Sequence, residues 1–525
     1  MEEALASPPD PAPSAAGRWL PGAIDLLVVA VAAAFAWRPV TFTHDSWWHL
    51  RLWRRILDEP WFPAHETFLW TAQGERIPHA SWLSDLLFAA LDRAGGLGLV
   101  EVLGLLLIAL VLRATWALGR ALGASPALAA AAIVALAWSA WPFFILRPHL
   151  FTFLGFALLF LAWVRGRERP LGRAWWTAPP LVGLWANLHG GFLLGLAFLV
   201  GVGLLEGAQA LAGPQDERPL RARRARGLLL LAAAAALCAC VHPQGPTPTL
   251  SGLAALGDPS LRHIDEWLPT PLRHAPLFAP LLLLGVVVAL AQPRWPPLHE
   301  LGAYLGTCWL ALTTWRHLPL FGIAGYSVLA AWATRALDAR RAALPLSARL
   351  RARLDGLLGA GERGPGGWLA LALLALGLGL VRVARPSDPL AHDLLRATYP
   401  VRAAAWVRAH GLEGRLFNPY PWGGYLGYAL EGQHLVYIDS RLEPAGWERL
   451  AEYFEVYGVH PGWDQALDRL AVDWILLEAG ARLVEPLRLH PRWRRVYDDE
   501  QALVFVRQGT NAHLPALGPP PPPPR

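Results

Sequence analysis

Long apolar runs alternate with short polar loops over most of the chain, and this alternation predicts a bundle of transmembrane helices. A first run covers residues 21–40, and others follow near 96–118, 125–145, 148–164, 174–189, 191–211, 227–241, 277–291, 298–315, 318–334 and 367–384. Since a helix needs about 20 apolar residues to cross hydrocarbon, the pattern gives about eleven spans. Several runs carry Pro or Gly, as at Pro179-Pro180 and Gly190-Gly191, which membrane helices tolerate at bends. The first run has no small-residue cleavage site behind it and reads as an uncleaved signal anchor. Residues 1–17, rich in Pro, Ala and Ser, are expected to be disordered.

Beyond the last run the periodicity changes. Helix-like stretches at Val401–His410, 446–457 and 463–471 mix with strand-like ones at Arg415–Asn418, Leu435–Asp439, Trp474–Glu478, Trp493–Tyr497 and Ala502–Val506. Strands interleaved with helices over about 120 residues predict a small α/β domain. The predicted architecture is mainly α. It comprises the segment 1–17, a transmembrane domain over 18–385 whose first outer loop is 41–95, an α/β domain over 386–508, and a Pro-rich tail over 509–525.

Composition supports lipid as the solvent. The 525 residues are 54% hydrophobic and only 16% charged, with a mean hydropathy of +0.32, which excludes an ordinary soluble globule. All 46 basic residues are arginine, and those of the membrane region fall mostly in short loops, so no nucleic-acid partner is implied. The arginine-rich loops 165–173, 218–226 and 335–353 are alternate connections. The positive-inside rule assigns them and the N-terminus to the cytoplasm, and the C-terminal domain to the outside. Cys238, Cys240 and Cys308 lie in apolar runs, a pattern of neither a disulfide framework nor a zinc site.

This topology sorts the polar residues. His44, His49, His65, His79, His149, His189, His242, His263, His274 and His317 fall outward, and of the membrane region only His299 falls inward. Asp45, Glu66, Asp85, Arg147, Asn187, Asp258, Asp265 and Glu266 join the outer set. Ionisable groups gathered at one membrane level mark a site more often than a fold requirement. The stretch Thr43–Arg51 opens the first outer loop and, as a helix, sets Asp45 and His49 at i and i+4. Trp47, Trp48, Leu50 and Trp53 would give that helix an apolar side at headgroup level. The competing reading makes Asp45 a simple N-cap. Arg147-Pro-His149, Asn187-Leu-His189-Gly-Gly191, His242-Pro-Gln-Gly245 and Arg316-His317 each sit at a helix end. Singly they read as caps or interfacial histidines; together they read as the lining of one outer cavity. In the α/β domain, the Trp422-Gly423-Gly424 turn and the strand-end pair Asp439 and Arg441 stand where such domains place ligand groups or a structural ion pair.

These motifs resemble a group of uncharacterised bacterial membrane proteins of the GT-C glycosyltransferase class. The resemblance rests on Asp45-Ser-Trp-Trp-His49-Leu, Arg147-Pro-His149-Leu-Phe, Trp185-Ala-Asn-Leu-His-Gly-Gly-Phe192, His242-Pro-Gln-Gly245, Arg316-His-Leu-Pro319 and Phe417-Asn…Trp422-Gly-Gly-Tyr-Leu426. Protein O-mannosyltransferases, lipid A aminoarabinose transferases and oligosaccharyltransferase subunits are more distantly similar. Mannosyltransferases of the class carry adjacent Asp-Glu where Ser46 follows Asp45 here. The resemblance implies transfer of a hexosyl or pentosyl group from a polyprenyl-phosphate donor to a glycan, lipid or protein acceptor outside a bacterial inner membrane. It implies Asp45 as general base, with His49 and Glu66 beside it, and Arg147, His149, Asn187, His189, His242, Arg316 and His317 on the donor. Trp422, Asp439 and Arg441 would lie on the acceptor side. Some members use a divalent metal (Mg or Mn), which Asp45 and His49, with Glu66 or His189, would hold. The alternative reading is a non-catalytic scaffold or transporter partner in envelope polysaccharide assembly or export.

Overall fold

The computed structural model describes residues 43–58, 62–167, 171–258, 264–340 and 398–517, with isolated positions at 27–34 and 261. The segment 1–17, most of the run 21–40, the run 367–384 and the end of the tail lie outside the described residues. An amphipathic helix α1 (His44–Asp58) opens the described chain. Membrane-region helices follow: α2 (Trp82–Ala121), α3 (Pro126–Ser139), α4 (His149–Gly166), α5 (Ala178–Leu188), α6 (Phe192–Ala212), α7 (Arg218–Ala239), α8 (Thr247–Ala255), α9 (Phe278–Leu290), α10 (Leu298–Thr313) and α11 (Leu318–Arg340).

Every apolar run between 96 and 334 carries a helix. By length and composition α2, α4, α6 and α11 with its leading 3-10 turn can cross a membrane, while α3 and α9 are shorter apolar helices. The expectation of about eleven spans is therefore met only in part. The run 174–189 shows one reason: its first residues form a 3-10 turn, and α5 starts only at Ala178, with Pro in its first turn. The boundary expected between residues 95 and 96 is a kink in α2, where Gly96 takes φ +71°, a conformation that glycine adopts without the Cβ penalty. Helix α11 is the centre of the bundle, and every residue from Leu318 to Trp332 is buried.

The C-terminal domain comprises α12 (Val401–His410), β1 (Leu416–Phe417), α13 (Gly423–Ala429), α14 (Leu442–Tyr457), α15 (Trp463–Arg469), β2 (Trp474–Glu478), α16 (Val484–Leu489), β3 (Trp493–Asp498) and β4 (Ala502–Arg507). Its sheet has the order β1-β2-β4-β3, parallel between β1 and β2 and antiparallel elsewhere. The stretch Leu435–Asp439, expected as a further strand, stays out of that sheet and pairs with the loop between α1 and α2, the one read from the sequence as the first outer loop. Val436 donates to the Phe68 carbonyl (2.9 Å) and accepts from the Trp70 amide (3.1 Å).

That pairing ties the domain to α1. Helix α13 lies on α1 so closely that a Cβ on Gly424 would stand 2.5 Å from the His44 carbonyl oxygen. Trp47 is fully buried against Tyr399, Tyr425 and Tyr428, with ring centroids 5.0–5.4 Å apart. The apolar side of α1 was expected at lipid headgroups; the C-terminal domain covers it instead, so burial within protein replaces burial in the interface.

Candidate functional site

Asp45 stands in the first turn of α1, where a carboxylate also complements the helix dipole. It forms an ion pair with Arg147, which precedes α4, and accepts a hydrogen bond from the Ser440 hydroxyl of the C-terminal domain. Arg147 Nη1 lies 3.3 Å from Glu266 Oε2, and the other oxygen of Glu266 lies 3.5 Å from Arg316 Nη1. Arg316 also lies over the Trp267 ring, 4.4 Å from its centroid. One row of alternating charge, Asp45–Arg147–Glu266–Arg316, thus joins four segments of the chain. These side chains remain 14, 21, 25 and 21% exposed respectively, so a ligand can reach them. Burial pushes the Asp45 carboxyl up, but Arg147, the Ser440 hydroxyl, His49 and Trp48 outweigh it and hold the group below its ordinary value.

A second ionic group lies beside the row and differs in exposure. Arg441 binds Asp439 through Nε (2.9 and 3.1 Å) and Nη2 (2.6 Å), while its Nη1 lies 2.9 Å from Glu66 Oε2. Glu66 also accepts the Phe68 and Leu69 amides. All three side chains are at most 4% exposed. Burial raises Glu66, yet Arg441 and the two amides bring it below its ordinary value; burial prevails at Asp439 and keeps it above. Glu66, expected as a catalytic or metal-binding acid, is here the anchor by which the first outer loop holds Arg441. Asp439 and Arg441, expected toward an acceptor, complete the same latch.

The other expected site residues divide similarly. His49 bonds Asp85 (2.5 Å), which also accepts Trp53 Nε1 (2.8 Å); the i, i+4 partner Asp45 is not bonded to it. His149 is buried with Nε2 2.5 Å from the Phe143 carbonyl. Asn187 accepts from Trp82 Nε1 (2.6 Å) and donates to the Gly183 and Val241 carbonyls (2.8 and 3.0 Å). His242 donates to the His79 carbonyl (3.1 Å) and accepts the Gln244 amide, and Gln244 in turn binds Ile77 and His79. The His-Pro-Gln motif therefore buckles the first outer loop to the end of α7. Trp422 is buried and donates to the Thr398 carbonyl (3.1 Å).

His189 and His317 are half-buried, as His242 is. His189 Nδ1 accepts the Gly191 amide (3.1 Å) and touches Thr152 Oγ1 (2.7 Å), which leaves its ring proton on Nε2. Arg316 and Arg147 are within electrostatic reach of it. His317 meets the edge of Trp267. Sequence reasoning did not single out Ser440, and it gathered Glu266 with the outer polar groups without giving it a role. Ser440 stands between two charged residues at a predicted strand end, and Glu266 in an outer acidic pair, but neither spacing specifies its partner.

A divalent metal fits this arrangement poorly. Asp45 is engaged by Arg147 and Ser440, His49 by Asp85, and Glu66 by Arg441. Among the described residues, no group of three or more His, Cys, Asp or Glu side chains is placed to hold an ion. What the exposed row offers is a carboxylate able to take a proton and two guanidinium groups, spaced by Glu266, able to bind an anion bidentately.

No protein-family model and no curated protein matches the chain. Two solved structures of an oligosaccharyltransferase from Archaeoglobus fulgidus are similar to it. One is AglB in complex with an inhibitory peptide and a dolichol-phosphate, with 13% identity and a TM-score of 0.55 over 94% of this chain and 75% of that one. The other is tethered by a disulfide to an acceptor peptide containing the NVT sequon, with 12% identity and a TM-score of 0.56 over 94% and 74%. At such identities the likeness establishes the fold, which extends through both the membrane helices and the C-terminal domain.

Proposed function

We propose that this chain is a membrane glycosyltransferase that moves a sugar from a polyprenyl-phosphate-linked donor to an acceptor hydroxyl outside the cytoplasmic membrane of a bacterium. The observation that carries the reading is the accessible row Asp45–Arg147–Glu266–Arg316, set in a fold similar to an enzyme solved with a dolichol-phosphate. A donor phosphate competes with Glu266 for the two guanidinium groups. As Arg147 turns to phosphate, Asp45 loses the main influence that lowers its proton affinity, and burial then favours protonation. The acceptor oxygen attacks the anomeric carbon, the bond from that carbon to the phosphate oxygen breaks, and its electron pair stays on phosphate. The hydroxyl proton passes to Asp45. Direct attack inverts the anomeric centre. Arg147 and Arg316 stabilise the leaving charge.

The arginine-rich loops support a cytoplasmic position for the opposite end of the bundle, with the C-terminal domain outside. Transfer assays on the full chain in proteoliposomes, with polyprenyl-phosphate donors, test the reading. Asp45→Asn is expected to keep donor binding and lose transfer, with wild-type turnover insensitive to a chelator. Unchanged transfer in Asp45→Asn would favour the scaffold role in polysaccharide assembly.

A further inference from the structure

The far end of the bundle carries a second basic site. Helix α2 starts beside the candidate site, where Asp85 bonds His49, turns at the Gly95-Gly96 kink, and then runs about 35 Å from Leu97 to Arg120. Helix α4 starts at His149 and ends at Arg165 and Gly166. Between these two helix ends lies a cavity of about 360 Å³ lined by Arg113, Arg120, Arg165 and Arg167, with Trp116 and Val164.

Arg113 and Arg120 are seven residues apart and share one side of α2, with Arg113 about 10 Å deeper along the axis. Its guanidinium lies over the Trp116 ring, 4.7 Å from the centroid. Trp116 is itself buried, so the Arg113 guanidinium is stacked on a ring packed inside the bundle rather than held out at the helix end. Topology signals alone would place arginines in the loops beyond a helix. They would not set one two turns inside it, facing a cavity completed by another helix. Arg120 also donates to the Ala124 carbonyl and Arg167 Nη1 lies 3.1 Å from His299 Nε2, both neutral partners, so an entering anion gains charge-assisted bonds that these contacts do not supply.

We infer that the cavity between the ends of α2 and α4 binds the phosphate of an anionic lipid headgroup, independently of the proposed transferase site. Basic pockets between membrane helices hold such headgroups by charge and bidentate hydrogen bonds. The same chemistry would accept a soluble phosphate, so the test must separate the two sources.

Native mass spectrometry of the full chain in detergent, with cardiolipin, phosphatidylglycerol or phosphatidylcholine added, reads lipid occupancy. Wild type is expected to hold the anionic lipids at least about tenfold better than phosphatidylcholine, a difference of about 1.4 kcal/mol. Arg113→Gln with Arg120→Gln should abolish that preference, Arg113→Lys with Arg120→Lys should keep part of it, and Arg408→Gln in the C-terminal domain should leave it intact. Equal binding of all three lipids by wild type overturns the inference without requiring any variant to fold. An anionic preference that persists in the Gln double variant overturns it as well. Calorimetry with inorganic pyrophosphate covers the other source: tight pyrophosphate binding without lipid preference would make the ligand soluble and reject the lipid assignment.

Discussion

Two ionic networks lie side by side above the membrane bundle and use the same residue types to opposite ends. In the Glu66–Arg441–Asp439 latch, charge is sealed from water, and the guanidinium is shared between two carboxylates. In the Asp45–Arg147–Glu266–Arg316 row, the groups are water-accessible, and each inner member has two partners it can exchange. Burial decides between the roles. A dry ion pair cannot be opened without leaving an uncompensated charge, whereas a partly wet pair can surrender one partner to a phosphate at little cost.

The largest difference should appear when each network loses its arginine. Arg441→Met strands Glu66 and Asp439 in a dry site, and such breaks cost about 3–5 kcal/mol. Limited proteolysis should then release the C-terminal domain from the membrane region. Arg316→Met removes a partly exposed partner, so stability should change by less than about 1 kcal/mol while donor-lipid affinity falls. Equal stability losses in the two variants would erase the distinction between latch and row.

Turnover sharpens the contrast next. Asp45→Asn keeps the shape of the side chain but turns one of its two accepting oxygens into a donor amide and takes away the base, which should slow transfer about 10²-fold or more while the fold is retained. Single-turnover measurements with bound donor read that step. Glu66→Gln should act through domain docking instead, and its residual activity should recover when docking is restored by a disulfide or low temperature.

How much of this was legible in the sequence follows from the range of each interaction. Helices between 96 and 334 and strands at Trp474–Glu478, Trp493–Asp498 and Ala502–Arg507 follow from local apolar periodicity, whereas the helical limb that starts at Trp82 lies in the stretch 41–95 that was expected to be a loop. Arg147 and Arg316 could be placed with Asp45 because arginines at outer helix ends suggest a common cavity. The partners could not. His49 and Asp85 are 36 residues apart, and Ser440 and Asp45 are 395 apart, so nothing local chooses between Asp45 and Asp85 as the mate of His49. Leu435–Asp439 has the alternation of a strand, but whether it joins the sheet or the first outer loop depends on which backbone edge is open after folding.

The contact between the two networks can be loosened without touching any charge. Gly424 leaves no room for a Cβ against the His44 carbonyl oxygen, a backbone atom that cannot move without shifting α1. Gly424→Ala is expected to cost about 1–3 kcal/mol, as overpacking does, and to move Asp45 away from Ser440. Thermal melts should show the loss in stability, and the KM for the acceptor should rise more than that for the donor.

The smallest effect is the dependence on pH, and its sign differs between the networks. Asp45 and Glu66 both have folded-state values below their ordinary ones, Asp45 through Arg147 and Ser440 and Glu66 through Arg441 and two amides, each against burial. A lowered carboxylate contributes stability above its ordinary value and loses it as pH falls through the lowered one, so acid below about pH 4 should weaken row and latch alike. Asp439 behaves the other way: burial raises it despite Arg441. Its contribution is complete below its ordinary value and is lost as pH climbs through the raised one, so only the latch should also weaken on the alkaline side of that window. Asp439→Asn removes this titration. Chemical denaturation of the C-terminal domain followed by tryptophan fluorescence should therefore show a loss with rising pH in the wild type that is absent in Asp439→Asn, while Asp45→Asn leaves that limb in place. Identical alkaline limbs in the wild type and Asp439→Asn would mean that Asp439 is already ionised throughout, and that the latch, like the row, is open to water.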